Sequence, residues 1–193
     1  MLTSEIDMRP RRVLRIHVTG ASGSGTSTLG AMLADRFDIP HFDIDDYFWM
    51  PTDPPYASMR PVEERIRLIE GILSGRESWI LTGSCMGWGD GLVQAADLIV
   101  FLHLPGSVRL ERLDRREAER FGSRIDAGGD MHAIHIAFRE WATQYEDPDF
   151  TGRSLAQHER WLECRTNRVL RLESLDTPQG LAERVEAAVG VFI

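Results

Sequence analysis

Positions 20 to 27 read Gly20-Ala21-Ser22-Gly23-Ser24-Gly25-Thr26-Ser27. This is the GxxxxGK[ST] spacing of a phosphate-holding loop at every required position except the lysine, which is Thr26. Glycines at 20, 23 and 25 let the backbone curl so that successive N–H groups point inward at anionic oxygens, and the positive end of a following helix adds to the field. Ser22, Ser24, Thr26, Ser27 and Thr28 complete the set of candidate nucleotide contacts, with the Ser27 hydroxyl placed to ligate magnesium. Threonine donates one hydrogen bond but carries no charge, so the loop lacks the cation that ordinarily bridges the outer phosphates. The remedy is not another lysine, because all 22 basic residues are arginine.

A second chemical cluster, Asp43-Ile44-Asp45-Asp46, follows a short apolar segment. A carboxylate near a phosphate loop can organise magnesium, and another can accept a proton from an attacking hydroxyl; Asp43 and Asp45 are the candidates, against the alternative of a solvated acidic turn. Arg116, Arg120 and Arg124 recur every four residues. A guanidinium clamps phosphate with paired hydrogen bonds and neutralises charge that develops in transfer. Arg115 and Arg153 are weaker candidates, and Glu–Arg pairing on a solvated face is the competing reading. His132 and His135 can share a helix face, but no further His or Cys stands nearby to complete a zinc site. Trp49, Trp88, Trp141 and Trp161 suit core packing, with Trp49 and Trp88 the better candidates to stack on a ligand ring.

These residues need elements to hold them. Leu14, Ile16 and Val18 alternate within a predicted strand over 13–18 that feeds the glycine loop. Leu29, Met32, Leu33 and Phe37 mark the helix after it, closed by Pro40. A second strand spans 39–44, and a turn-rich excursion runs from Pro51 to Pro55. Pro61 opens a helix with Val62, Ile66, Ile69 and Leu73 on one stripe, stopped near Gly75. A third strand covers 78–82. The run 98–102 is apolar at every position, as expected of a parallel strand covered on both faces. Ser107 is the expected cap of a helix to Phe121, whose five arginines (109, 112, 115, 116, 120) face four acids (111, 114, 117, 119). Helical stripes follow at 131–145 and 154–163, a last strand at 169–172 and a closing helix at 178–189. Strands alternating with helices predict an α/β fold, a three-layer, doubly wound, mostly parallel sheet in one domain over 1–193.

A formal charge of −8 argues against general binding to nucleic acid or membrane surfaces, which demands clustered positive charge. Met1 to Arg12 is polar, no run approaches the length of a membrane span, and Cys85 and Cys164 lack disulfide or metal spacing; a cytoplasmic monomer or homodimer is expected. Against dinucleotide binding in the manner of short-chain reductases stand a glycine spacing off by one residue and the absence of any lysine for their Tyr-x-x-x-Lys pair.

The loop GASGSGTST, the segment HFDIDDYFW and the arginine-rich helix together resemble the P-loop small-molecule kinases, a group that includes adenylate, shikimate and gluconate kinases. The resemblance implies a P-loop kinase fold, Mg-ATP as phosphoryl donor and a small-molecule acceptor. It implies that Asp43 and Asp45 organise metal and acceptor hydroxyl, that Arg116 and Arg120 belong to a lid around 112–130, and that an acceptor-binding insert covers 47–75. It places Arg60 and Arg65 where related kinases hold an acceptor phosphate or carboxylate, Gly83 and Ser84 on the acceptor pocket, and base recognition around 175–180. The segment Thr82 to Asp90 departs from the Asp-Gly-Phe-Pro-Arg of adenylate kinases, which counts against adenosine monophosphate as acceptor. A nucleotide-binding protein that has lost phosphotransfer is the alternative, on the strength of Thr26.

Overall fold

The computed structural model describes residues 13–190; the polar stretch from Met1 to Arg12 lies outside them. Five strands, β1 (Arg15–Gly20), β2 (His41–Asp43), β3 (Trp79–Thr82), β4 (Leu98–His103) and β5 (Arg168–Glu173), form one sheet in the order β2-β3-β1-β4-β5. Every pairing is parallel, with Val18 in register with Thr82 on one side and Val100 on the other. Among the described residues seven α-helices accompany it: α1 (Thr26–Phe37), α2 (Asp45–Phe48), α3 (Val62–Leu73), α4 (Gly106–Phe121), α5 (His132–Thr143), α6 (Leu155–Glu163) and α7 (Pro178–Gly190).

Strand alternation sorts the core into two layers. Leu98, Val100 and Leu102 of β4 join Ile16 and Val18 against Leu29 and Leu33 of α1 and Leu181, Ala182 and Val185 of α7. Ile99 and Phe101 point the other way, toward Leu81, Ile69 of α3 and Trp161 and Leu162 of α6. Helices therefore cover both faces, which explains why β4 is apolar at every position. The expected fold class stands, with all five strands parallel.

Several boundaries differ from expectation for physical reasons. Val13 is 49% exposed and precedes β1. Ser107 does not cap α4: the N-cap is Pro105, and no side chain caps it. The buried stripe of α4 is Arg109, Leu113, Glu117 and Phe121, so two charges that read as surface are interior. The acidic cluster carries a one-turn helix, α2, rather than running straight into a turn.

Candidate functional site

In a parallel sheet all strand C-termini lie on one edge, and a ligand crevice opens there. Here that edge brings together the glycine loop after β1, Asp43 at the end of β2 and Gly83 after β3. Gly25, at φ 95°, turns the loop into α1 as its N-cap without any side-chain cap. The first intrahelical bond runs from Leu29 N–H to the Gly25 carbonyl at 3.0 Å, which leaves the amides of Thr26, Ser27 and Thr28 with no carbonyl of their own turn to bond. That uncapped terminus of a three-turn helix suits an anion.

The loop is braced from behind. A Cβ on Gly23 would stand 2.6 Å from the Arg109 carbonyl, and one on Gly20 would stand 2.5 Å from the Leu102 carbonyl, so glycine is needed for backbone approach at both. Arg109, fully buried, donates from Nη1 to the Ser22 carbonyl (3.3 Å) and from Nη2 to the Ala142 carbonyl (2.9 Å) and the Glu146 carboxylate (2.9 Å). Ser174 Oγ donates to the Ser24 carbonyl at 2.6 Å, and Arg112 holds the Ser174 carbonyl at 3.1 Å. The 175–180 segment thus leaves the sheet beside the loop, with Leu175 61% exposed.

Ser27 Oγ donates to Asp43 Oδ2 at 2.5 Å, and the other carboxylate oxygen of Asp43 accepts the Asp45 N–H at 3.0 Å. Loop and acidic cluster therefore meet, through residues that α1 and β2 fix independently. A solvent-facing hydroxyl and a carboxylate oxygen converging on one point are hard oxygen ligands, and they fit magnesium, which takes only one or two protein ligands beside phosphate and water. Desolvation, then the neighbouring Asp43, raise the Asp45 carboxyl above the usual range, while Arg153 and Arg116 oppose the rise. Asp46 is raised by the same two causes in the same order, with His41 and Arg120 opposing.

The arginines divide. Arg116 pairs with Glu117 at 3.2 Å while facing Asp45. Arg120 lies 5.3 Å over both the Tyr56 and Phe121 rings. Arg124 donates to Asp53 (2.7 Å) and to Asp130 (2.6 Å). Arg115 is exposed. Arg153 donates from Nη2 to Ser22 Oγ at 2.9 Å and lies 4.8 Å over Trp141. Arg60 is occupied by Glu64 and by the carbonyls of Tyr47 and Trp49. Arg65 is 7% exposed, bonded to the Arg60 carbonyl and lying 3.8 Å over Phe48 and 5.3 Å over Trp88. Both arginines shape the wall of the excursion rather than projecting free charge.

Gly83, at φ 103°, would drive a Cβ to within 3.0 Å of Ile44 and 3.6 Å of the Asp43 carboxylate, so the loop with Ser84 passes directly against the acidic cluster. Phe48, Trp49, Trp88, Tyr56 and Phe121 form a chain of edge-to-face rings with centroids 5.0–6.3 Å apart along this rim. Trp161 packs in the core and Trp141 stacks on Phe138, while Trp49 and Trp88 are half-buried, Trp88 packing against the core layer beneath the rim. His132 bonds the Ile125 carbonyl at 2.9 Å and His135 stands 3.8 Å from Glu117. Sequence reasoning missed Arg109 and Ser174 as supports of the loop; the one available signal was an arginine spaced four residues from Leu113 on an otherwise charged helix.

No protein-family model matches the chain. It is 43% identical over 158 residues, 82% of its own length and 87% of the other's, to a Bacillus subtilis (strain 168) protein described as the uncharacterized protein YqaC. Against the cytidylate kinase of Pyrococcus horikoshii it is 31% identical over 120 residues, covering 56% of this chain and 60% of that one. The shikimate kinase of Bacteroides thetaiotaomicron superposes with a TM-score of 0.54 at 19% identity, over 92% of this chain and 98% of that one, which shows the fold.

Proposed function

Since the chain belongs to the family of Bacillus subtilis YqaC and has the fold of the shikimate kinases, we propose that it transfers the γ-phosphoryl group of Mg-ATP to a small acceptor. The observation that carries the reading is the 2.5 Å contact between Ser27 and Asp43, which joins the anion-holding loop to the carboxylate cluster. The amides from Gly23 to Thr28 cradle the phosphates. A magnesium ion held by Ser27 and Asp43 would supply charge neutralisation on the phosphate oxygens.

In transfer, a bond forms from the acceptor oxygen to the γ-phosphorus as the bond to the β–γ bridging oxygen breaks, and ADP departs with that electron pair. The acceptor proton passes to Asp45, whose carboxylate burial and the neighbouring Asp43 make more basic than usual. Arg116 and Arg120 face the cluster from α4 and stabilise charge on the moving group. The ring-lined rim beside Gly83 and Ser84, flanked by Arg120, favours an acceptor with a planar ring and negative charge; a nucleoside monophosphate is the first class to try, with cytidine monophosphate suggested by the cytidylate kinase relative.

Thermal unfolding with magnesium plus ATP, ADP or GTP tests the site. Ligand at a hundred times its Kd adds about 2.7 kcal/mol, a rise in Tm of roughly 5–10 °C at this length. A shift followed by phosphorylated product in a panel of nucleoside monophosphates, shikimate and gluconate supports the proposal. A shift with no product from any acceptor assigns the chain to nucleotide binding alone, and no shift removes the kinase reading.

A further inference from the structure

The glycine loop holds its anion without the usual cation, and a chain without lysine must supply that charge from a guanidinium. We propose that Arg153 provides it, reaching the outer phosphates from the segment before α6 in place of a side chain at position 26; this rests on the nucleotide reading above. Arg153 is already at the loop, its Nη2 donating to Ser22 Oγ at 2.9 Å.

Arg153 differs from the other arginines of this edge, of which Arg116 and Arg120 face the acidic cluster from α4. Arg109 lies behind the loop with its charge matched by Glu146. Arg112 serves the Ser174 carbonyl, Arg116 pairs with Glu117, and Arg124 is shared between Asp53 and Asp130. Arg153 forms no ion pair among the described residues, and its buried Nε has no hydrogen-bond partner. A neutral hydroxyl does not offset a guanidinium, and a charge held half-buried without a counter-ion is costly unless an anion completes it.

Placement and rigidity agree with that role. Bonded to the loop at Ser22, the guanidinium also lies within electrostatic reach of the acidic cluster, since Asp45 raises its pKa against the lowering by burial. Trp141 supports the guanidinium face at 4.8 Å. The next residue, Ser154, is buried and caps α6 by accepting the Gln157 N–H at 3.3 Å, which fixes the backbone from which Arg153 projects. A planar fork fixed in advance suits two phosphate oxygens better than a flexible ammonium does.

The test is calorimetric titration of the full chain with Mg-ATP and Mg-ADP, comparing wild type, Arg153→Met, Thr26→Lys and the double variant. Loss of a charge-assisted contact weakens Mg-ATP on the order of 10- to 100-fold in Arg153→Met. Adding Thr26→Lys to that variant recovers most of the loss, a rescue that a merely structural role for Arg153 does not allow. Thr26→Lys alone gains less than about tenfold in affinity, because the guanidinium already supplies the charge; this variant also decides the matter if Arg153→Met does not fold. Unchanged affinity in Arg153→Met, failure of the rescue, or a gain of about tenfold or more from Thr26→Lys alone overturns the proposal. A wild type that binds neither nucleotide fails at an earlier step, since it removes the nucleotide site itself.

Discussion

Acidification should unfold this protein through two histidines that take no part in the proposed chemistry. His17 of β1 and His158 of α6 are both fully buried. His17 Nδ1 donates to the Leu81 carbonyl at 3.0 Å, and His158 Nδ1 meets the Tyr145 hydroxyl at 2.8 Å. The Nε2 atom of each has no partner, so a proton added there enters the core unsolvated. Burial lowers His17 to about 4, partly offset by the Leu81 carbonyl. Burial, then Arg153 and His17, lower His158 to about 3. Both folded values lie below the unfolded 6.5, so the stability these rings contribute is complete above pH 6.5 and is lost as pH falls toward 4. At pH 4.5 each ring has cost about 2.5 kcal/mol, or about 5 kcal/mol together, comparable to the whole stability of many domains. Asp45 and Asp46, whose carboxyls are raised, act with the opposite sign and blunt the fall. Urea unfolding followed by circular dichroism from pH 7.5 to 4.5 should give a slope approaching about 2.7 kcal/mol per pH unit near pH 5 to 6. His17→Asn keeps an N–H for Leu81 and should lower that slope by about 1.4 kcal/mol per unit. A flat profile above pH 5, or a slope untouched by His17→Asn, would refute the assignment.

Two further outcomes follow from close contacts. In Gly30→Ala a Cβ would stand 2.2 Å from Thr82 Cγ2 and 2.7 Å from His41 Nε2; overpacking of about 1–3 kcal/mol outweighs the roughly 1 kcal/mol gained in helix propensity. The variant should therefore have a lower urea midpoint, and an unchanged or higher one contradicts the packing. Asp53→Asn removes an exposed pair with Arg124 and should leave the urea midpoint close to that of the wild type; hydrogen exchange should nevertheless quicken in residues 122–131, and equal exchange rates would show that the pair restrains nothing.

What the sequence revealed depended on how local each cause was. The strand, loop and helix from Arg15 to Phe37 are specified by apolar periodicity and by glycines within a short window, and β4 by its unbroken apolar run. The arginines were harder to read. Arg109 finds Glu146 at a separation of 37 residues and Arg124 finds Asp53 at 71, and no local pattern distinguishes either from a solvated charge. Arg60 and Arg65 spend their donors on carbonyls and on Glu64, a use that spacing does not reveal. Arg153 carries no periodicity, and only the fold sets it against Ser22. The one-turn helix α2 is shorter than a hydrophobic period can register.

The contact between Asp53 and Arg124 and the edge-to-face packing of Tyr56 on Phe121 fasten the excursion after α2 to the end of α4. With those two segments gripping each other, the crevice has one door with two leaves instead of two separate doors. On the kinase reading proposed above, opening it for an acceptor would also loosen the region over the nucleotide, and both products would leave in the same event. Traffic through such an entrance is sensitive to ionic strength, because one of its two fastenings is an exposed ion pair that dissolved salt screens.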